Sequence, residues 1–220
     1  MNKAVFIDRD GTLNDMVYDE THGTLDSPRR PKDVSLKPYA AEFIKCAHQH
    51  GYLTIVATNQ PGIARGTLSL KALAAVNDRL AALLAAEGAE WDALRFCPHS
   101  PPSASAKNEY AVECNCRKPR PGLLLDAARE FDIDLGGSWM VGDGLNDVQA
   151  GKAAGCRTIL VTKLKIEQVE RFFSLENCRP DAIANDLKEA AEIISTSMAR
   201  YCQEKQETEI FTTEVTKTRR

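Results

Sequence analysis

Short, almost wholly apolar runs alternate along this chain with amphipathic stretches, and polar residues gather where the apolar runs stop. Lys3-Ala-Val-Phe-Ile7 is apolar after its first residue and halts at Asp8, the pattern of a strand covered on both faces in a parallel sheet. From Pro38 to Gly51 the apolar positions include Ala40, Phe43, Ile44 and Ala47, the i, i+3, i+4, i+7 spacing of a helix with one buried face. Leu53-Thr-Ile-Val-Ala57 predicts a second buried strand, and a helix from Ser69 to Glu87 follows, with Ser69 as its N-cap and Gly88 as its stop. A further helix is expected from Gly122 to Phe131, and strands at Trp139-Met-Val-Gly142, Thr158-Ile-Leu-Val161 and Ala182-Ile-Ala184, each followed by a helical stretch. Two segments break the alternation. Asn14 to Lys37 is long and polar and holds Pro28 and Pro31; Phe96 to Pro121 is proline-rich and reads as an insertion.

This order of elements predicts an α/β fold: a Rossmann-like, mostly parallel sheet with helices on both faces, a minimal cap and a loop insertion over 97–116. Ligands in such sheets bind beyond the C-terminal ends of the strands. The 220 residues suit one compact domain, expected over 1–202, and the charged, Thr-rich stretch 203–220 reads as a mobile tail. Apolar residues at 43% and charged ones at 27% suit a packed core rather than disorder.

A net charge of −3 gives the chain no overall positive field for a nucleic-acid backbone, and none is expected as partner. The N-terminus lacks the pattern of a signal peptide, and the Ala- and Leu-rich run from Lys71 to Ala86 is interrupted by Asn77, Asp78 and Arg79. A cytoplasmic monomer without membrane contact is the expectation. Of the seven cysteines, Cys97, Cys114 and Cys116 lie near His99, which favours metal over disulfides. Cys46, Cys156, Cys178 and Cys202 read as buried or incidental thiols.

Polar clusters follow three of the predicted strands: Asp8-Arg-Asp10-Gly-Thr12, Thr58-Asn59, and Asp143 with Asp147. Each alone would pass as an ordinary turn. Carboxylates where buried strands end must be offset by a cation or turned to solvent, and all three clusters together with Lys118 exceed what turns require. Cys97-Pro-His99 and Cys114-Asn-Cys116 supply three thiols and an imidazole, the ligand set of a closed tetrahedral zinc site; the alternative is reduced thiols in a loop.

Phe6-Ile-Asp8-Arg-Asp10-Gly-Thr12-Leu-Asn14 resembles the first motif of the haloacid dehalogenase superfamily. Thr58-Asn59 resembles its second, Lys118 its third, and Gly142-Asp143-Gly-Leu-Asn-Asp147 with Ala150-Gly151 its fourth. Within that superfamily, Thr58-Asn-Gln-Pro-Gly-Ile-Ala-Arg-Gly66, the Cys/His pairs and Arg117-Lys118-Pro119-Arg-Pro121-Gly122 resemble the zinc-containing heptose-bisphosphate phosphatases and the related histidinol-phosphatases.

The resemblance implies a magnesium-dependent phosphatase acting on a small phosphorylated metabolite, first of all the 7-phosphate of D-glycero-D-manno-heptose 1,7-bisphosphate. Asp8 would be the nucleophile and Asp10 the acid and base. Thr58, Asn59, Arg117 and Lys118 would hold the phosphoryl oxygens, and Gln60 and Arg65 would meet the substrate. Mg²⁺ would sit on the Asp8 and Asp143 carboxylates and the Asp10 carbonyl with Asp147 behind, and Zn²⁺ on Cys97, His99, Cys114 and Cys116 in a structural role. Two departures bear on the substrate: Gly144 stands where those heptose-bisphosphate enzymes carry lysine, and the segment from Tyr18 to Lys32 is long. The run Arg29-Arg30-Pro31-Lys32 reads as solvated surface, with contact to a distal phosphate as the alternative. Histidinol phosphate is the alternative substrate; a polynucleotide 3'-phosphatase and a non-catalytic phospho-ligand-binding protein are weaker readings.

Overall fold

A computed structural model of the chain describes residues 1–20, 23–102, 108–176 and 178–197. The expected tail at 203–220 lies outside them. The central element is β1 (Lys3–Ile7), flanked by β4 (Tyr52–Asn59) and β6 (Trp139–Gly142), with β5 (Ala93–Cys97) beyond β4 and β7 (Arg157–Val161) and β8 (Ala182–Ala184) beyond β6. Every pairing in this six-stranded sheet is parallel. The separate hairpin β2 (Val17–Asp19) and β3 (Thr24–Asp26) is antiparallel.

The apolar runs serve two cores at once because strand side chains alternate sides. Val5, Ile7, Val56, Val141 and Ile159 pack with Phe43 and Ile44 of α1 (Ala40–Gln49), Leu80 and Leu84 of α2 (Leu70–Ala86), and Ile194 of a helix over 187–197. Ala4, Phe6, Ile55 and Met140 face the other way, onto Leu123, Leu124 and Ala127 of α3 (Gly122–Phe131). On that side α4 (Leu145–Ala154) brings Gly151 so close that an added Cβ would stand 2.7 Å from Met140 Cβ. Val169 and Phe173 of α5 (Ile166–Glu176) close the layer over Val148 and Leu160.

The expected strands and helices are present, some a residue or two longer or shorter, and Ser69 caps α2 by accepting the Ala72 N–H. Two segments hold more structure than their sequence suggests. β5 lies inside the stretch leading to the insertion and is half-buried along most of its length, so its pattern carries neither the continuous run nor the clean alternation of a strand. The polar segment 14–37 folds into the hairpin and a 3₁₀ turn at Pro31–Asp33. Both edge strands are entered through the same local device: Asp92 accepts the Thr54 N–H and hydroxyl, and Asp181 accepts those of Thr158. Strand order reverses beside β1, so the crevice beyond the ends of β1 and β6 is where this sheet type holds a ligand.

Candidate active site and metal centres

Asp8 follows the last residue of β1 and Asp143 the last of β6, adjacent parallel strands, so the sheet itself sets their carboxylates side by side. Asp147, one turn into α4, turns back toward them and accepts the Gly144 N–H at 3.1 Å, capping its own helix. Carboxylate oxygens of Asp8, Asp143 and Asp147 lie within 4.8 Å of one another. Such proximity needs room. At Gly11, with φ of +91°, a Cβ would stand 2.2 Å from Asp143 Oδ2; only glycine permits that turn and that approach.

Lys118 is the cation of the cluster, 3% exposed. Its Nζ donates to Asp8 Oδ1 at 2.6 Å and the Ala57 carbonyl at 2.7 Å, and stands 2.6 Å from Asp147 Oδ1. Three protons therefore meet three oxygens. Burial alone would discharge the amine, but Asp147 and Asp8 hold it charged and raise it above its ordinary value. One ammonium does not balance three carboxylates. Burial pushes the Asp8 carboxyl up to about 8, against the pull of Lys118 and with Asp147, Asp10 and Asp143 adding to the rise. Asp143 stays open to solvent on one side, yet the protein around it, followed by Asp147, lifts it to about 6. A small, oxygen-loving divalent cation fits the uncompensated charge and the donor set.

Asp10 is turned the other way. Its Oδ1 accepts from Arg9 Nε (3.0 Å) and Asn14 Nδ2 (3.1 Å), and its Oδ2 from Arg9 Nη2 (2.9 Å) and Gln60 Nε2 (2.7 Å). Gln60 also donates to the Thr58 hydroxyl at 3.0 Å. Asn59 spends both ends of its carboxamide on Lys118, accepting its N–H and donating to its carbonyl, each at 3.0 Å. It thereby sits where it can aim the lysine. Arg65 is exposed, in the turn after β4, on a groove of about 350 Å³ that it shares with Gln60 and Arg29. Arg29 pairs with Asp26 and, at 3.7 Å, with Asp19; Arg30 pairs with Asp33 on the surface.

The second cluster lies at the end of β5. Cys97, His99, Cys114 and Cys116 converge, with Sγ of Cys97 3.2 Å from that of Cys116 and 3.6 Å from that of Cys114, and His99 Nδ1 3.2 Å from Cys116 Sγ. Zinc–sulfur bonds of about 2.3 Å in a tetrahedron place sulfurs a little under 4 Å apart, so the donors are already gathered. Arg117 Nη1 donates to the His99 carbonyl at 3.3 Å, and Lys118 follows next, so this cluster adjoins the carboxylate site along the chain. Sequence reasoning brought together every residue of both clusters. It missed Arg9 and Asn14 as partners of Asp10, and nothing in local pattern marks an arginine between two aspartates as buried.

A buried carboxylate at the end of the central parallel strand, a second aspartate two residues on, a buried lysine and a cluster of three carboxylates able to hold a cation are the features of a phosphatase of the haloacid dehalogenase type, a hydrolase of phosphoric monoesters. The family model described as "HAD-hyrolase-like" matches residues 115–190. The D-glycero-beta-D-manno-heptose-1,7-bisphosphate 7-phosphatase of Pasteurella multocida is 37% identical over 163 residues, 74% of this chain and 83% of that protein. The D-glycero-D-manno-heptose-1,7-bisphosphate 7-phosphatase of Thermosynechococcus vestitus is 38% identical over 198 residues, 89% of this chain and 97% of the other. The solved D,D-heptose 1,7-bisphosphate phosphatase of B. bronchiseptica, complexed with magnesium and phosphate, superposes with a TM-score of 0.70 at 31% identity, covering 89% of this chain and 99% of its own. The chain belongs to this heptose-bisphosphate phosphatase family of the haloacid dehalogenase superfamily.

Proposed function

We propose that the chain removes the 7-phosphate of a D-glycero-D-manno-heptose 1,7-bisphosphate in a cytoplasmic reaction. The observation that carries this reading is the groove of about 350 Å³ running from Gln60, which touches Asp10, to the exposed guanidinium of Arg65. A substrate phosphorylated at both ends would place one phosphate at Asp8 and reach Arg65 with the other. The names of the relatives agree with it.

Asp8 attacks phosphorus through a carboxylate oxygen, the bond from phosphorus to the sugar oxygen breaks, and Asp10 gives that oxygen its proton. Water then attacks phosphorus, its proton goes to Asp10, and the Asp8–phosphorus bond breaks to release phosphate. Lys118 stabilises charge on the phosphoryl oxygens, with Thr58 and Arg117 beside it and Asn59 fixing its backbone. Mg²⁺, held by the Asp8 and Asp143 carboxylates and the Asp10 carbonyl, would neutralise nucleophile and phosphate enough for them to meet. Zn²⁺ on Cys97, His99, Cys114 and Cys116 would order the loop that delivers Arg117 and Lys118. Thiols kept for zinc, with no disulfide among the described cysteines, suit a reducing compartment.

The test is a comparison of phosphate release from the heptose 1,7-bisphosphate, the matching 7-monophosphate and histidinol phosphate. A charge-assisted contact is worth about 1.5 to 3 kcal/mol, so the bisphosphate should lead the monophosphate by about one to two powers of ten in kcat/KM. Arg65→Ala should remove most of that lead while leaving the monophosphate rate near wild type. Equal rates for the two sugars, or faster hydrolysis of histidinol phosphate, would assign the enzyme to the amino-alcohol substrate instead.

A further inference from the structure

Arg9 is 0% exposed and, among the described residues, heads the largest fully buried side chains, though it stands between two aspartates at a solvent-facing site. Burying a guanidinium is costly unless every edge is matched. Here the match is specific: Nε and Nη2 grip the two oxygens of Asp10 as a fork, at 3.0 and 2.9 Å, while Nη1 donates to Asn77 Oδ1 at 2.6 Å. Asn77 belongs to α2, inside the Leu73, Val76, Leu80 and Leu84 face that packs into the core. The polar break in that otherwise Ala- and Leu-rich helix thus has a partner.

We propose that Arg9, anchored by Asn77, is the positioning residue that fixes the plane and direction of the Asp10 carboxylate. Fork geometry sets both in-plane angles of a carboxylate, which a point-charge ammonium cannot do. Gln60 and Asn14 complete the hold with one bond to each oxygen, and Gln60 ties the same carboxylate to Thr58. A buried ion pair adds little to stability over apolar packing, so stability gives no reason for this arrangement, whereas a proton carrier misplaced by about 1 Å can lose a factor of about 10² in rate.

The proposal rests on Asp10 serving both chemical steps, and the experiment separates the two ideas. With p-nitrophenyl phosphate the leaving group needs no proton, so misdirecting Asp10 slows mainly the water step and the aspartyl-phosphate accumulates. In stopped flow, Arg9→Lys should show a burst of p-nitrophenol approaching one per chain, with kcat lower by about 10² and KM falling in step with it, so that kcat/KM stays near wild type. Asn77→Ala should show the same pattern at about a tenfold loss, with an unchanged circular dichroism spectrum and a Tm lower by several degrees because Arg9 Nη1 loses its partner. Should Arg9→Lys fail to fold, Asn77→Ala decides. A variant that loses kcat without a burst, or keeps wild-type kcat, overturns the positioning role. Wild-type turnover by Asp10→Asn would instead overturn the role given to Asp10 itself.

Discussion

Among the described residues two metal-competent clusters stand out, joined through Arg117 between Cys116 and Lys118, and they are built on opposite plans. Around Lys118, three carboxylates are fixed by strands β1 and β6 and helix α4, which would stand without them. Around His99, three thiols are fixed by the end of β5 and a loop with little core of its own, in which Cys114 and Cys116 only lean on the α3 layer. The first site is hard, charged and open at Asp143. The second is soft and closed, with four donors for four positions. A cation at the first would therefore serve chemistry, and one at the second would serve folding.

The largest expected effects break this contrast in opposite directions. Asp8→Asn removes the proposed nucleophile without touching an apolar core contact, so phosphate release should fall by about 10³-fold or more with an unchanged circular dichroism spectrum. Retention of a tenth of wild-type turnover would refute the covalent route. Cys114→Ser should do the reverse: protein purified without chelator should lose its single zinc per chain and about 10 °C of Tm, because binding energy at such a site is folding energy. Wild-type protein free of zinc by elemental analysis would end that reading.

How much was legible beforehand follows the same division. Strand ends and ligand spacings are local, and Asp8, Asp143, the Cys/His cluster and helix α3 could be read from short windows. Pairings across the chain could not. Asn59 looks like a phosphoryl ligand until Lys118 arrives 59 residues later to occupy both its ends. Strand β5 looks irregular because an edge strand of mixed burial has neither a continuous apolar run nor strict alternation. The hairpin at 17–26 is hidden for a similar reason, since Tyr18 and Leu25 are exposed and no core face marks its period.

Two glycines sharpen the contrast at smaller scale. Gly11 lets Asp143 approach the turn after β1, and Gly122 lets Asn115 of the zinc loop lie on the first turn of α3, where a Cβ would stand 2.4 Å from the Asn115 carbonyl oxygen. Gly11→Ala should lower kcat by about 10²-fold, since displacing the Asp143 carboxylate would disturb the cation that the proposed chemistry needs, with zinc retained. Gly122→Ala should cost about 1 to 3 kcal/mol, or roughly 3 to 10 °C of Tm, and loosen zinc against a chelator, through overpacking. Equal effects of the two substitutions on turnover and on zinc retention would show that the clusters are not separable.

The smallest effect is a pH dependence confined to the carboxylate site. Asp8 rises from its ordinary 3.8 to about 8 and Asp143 to about 6, chiefly by burial. A carboxyl raised in the folded state holds its proton more tightly there than in the unfolded chain. Its contribution is therefore neutral below about pH 4, and it turns increasingly destabilising as pH climbs toward the folded value. Metal-free protein should lose stability between pH 5 and 8, and because this change resides largely in Asp8, Asp8→Asn should lose about 5 °C less Tm over that interval. Mg²⁺ on the ionised carboxylates would oppose the loss, so its stabilisation of the wild type should be larger at pH 8 than at pH 5. Replacing Cys114 should leave that difference in place, the thiol cluster having no part in it. A Mg²⁺ stabilisation equal at both pH values, measured by thermal shift at saturating ion, would mean that the charge on these carboxylates is already balanced without the cation.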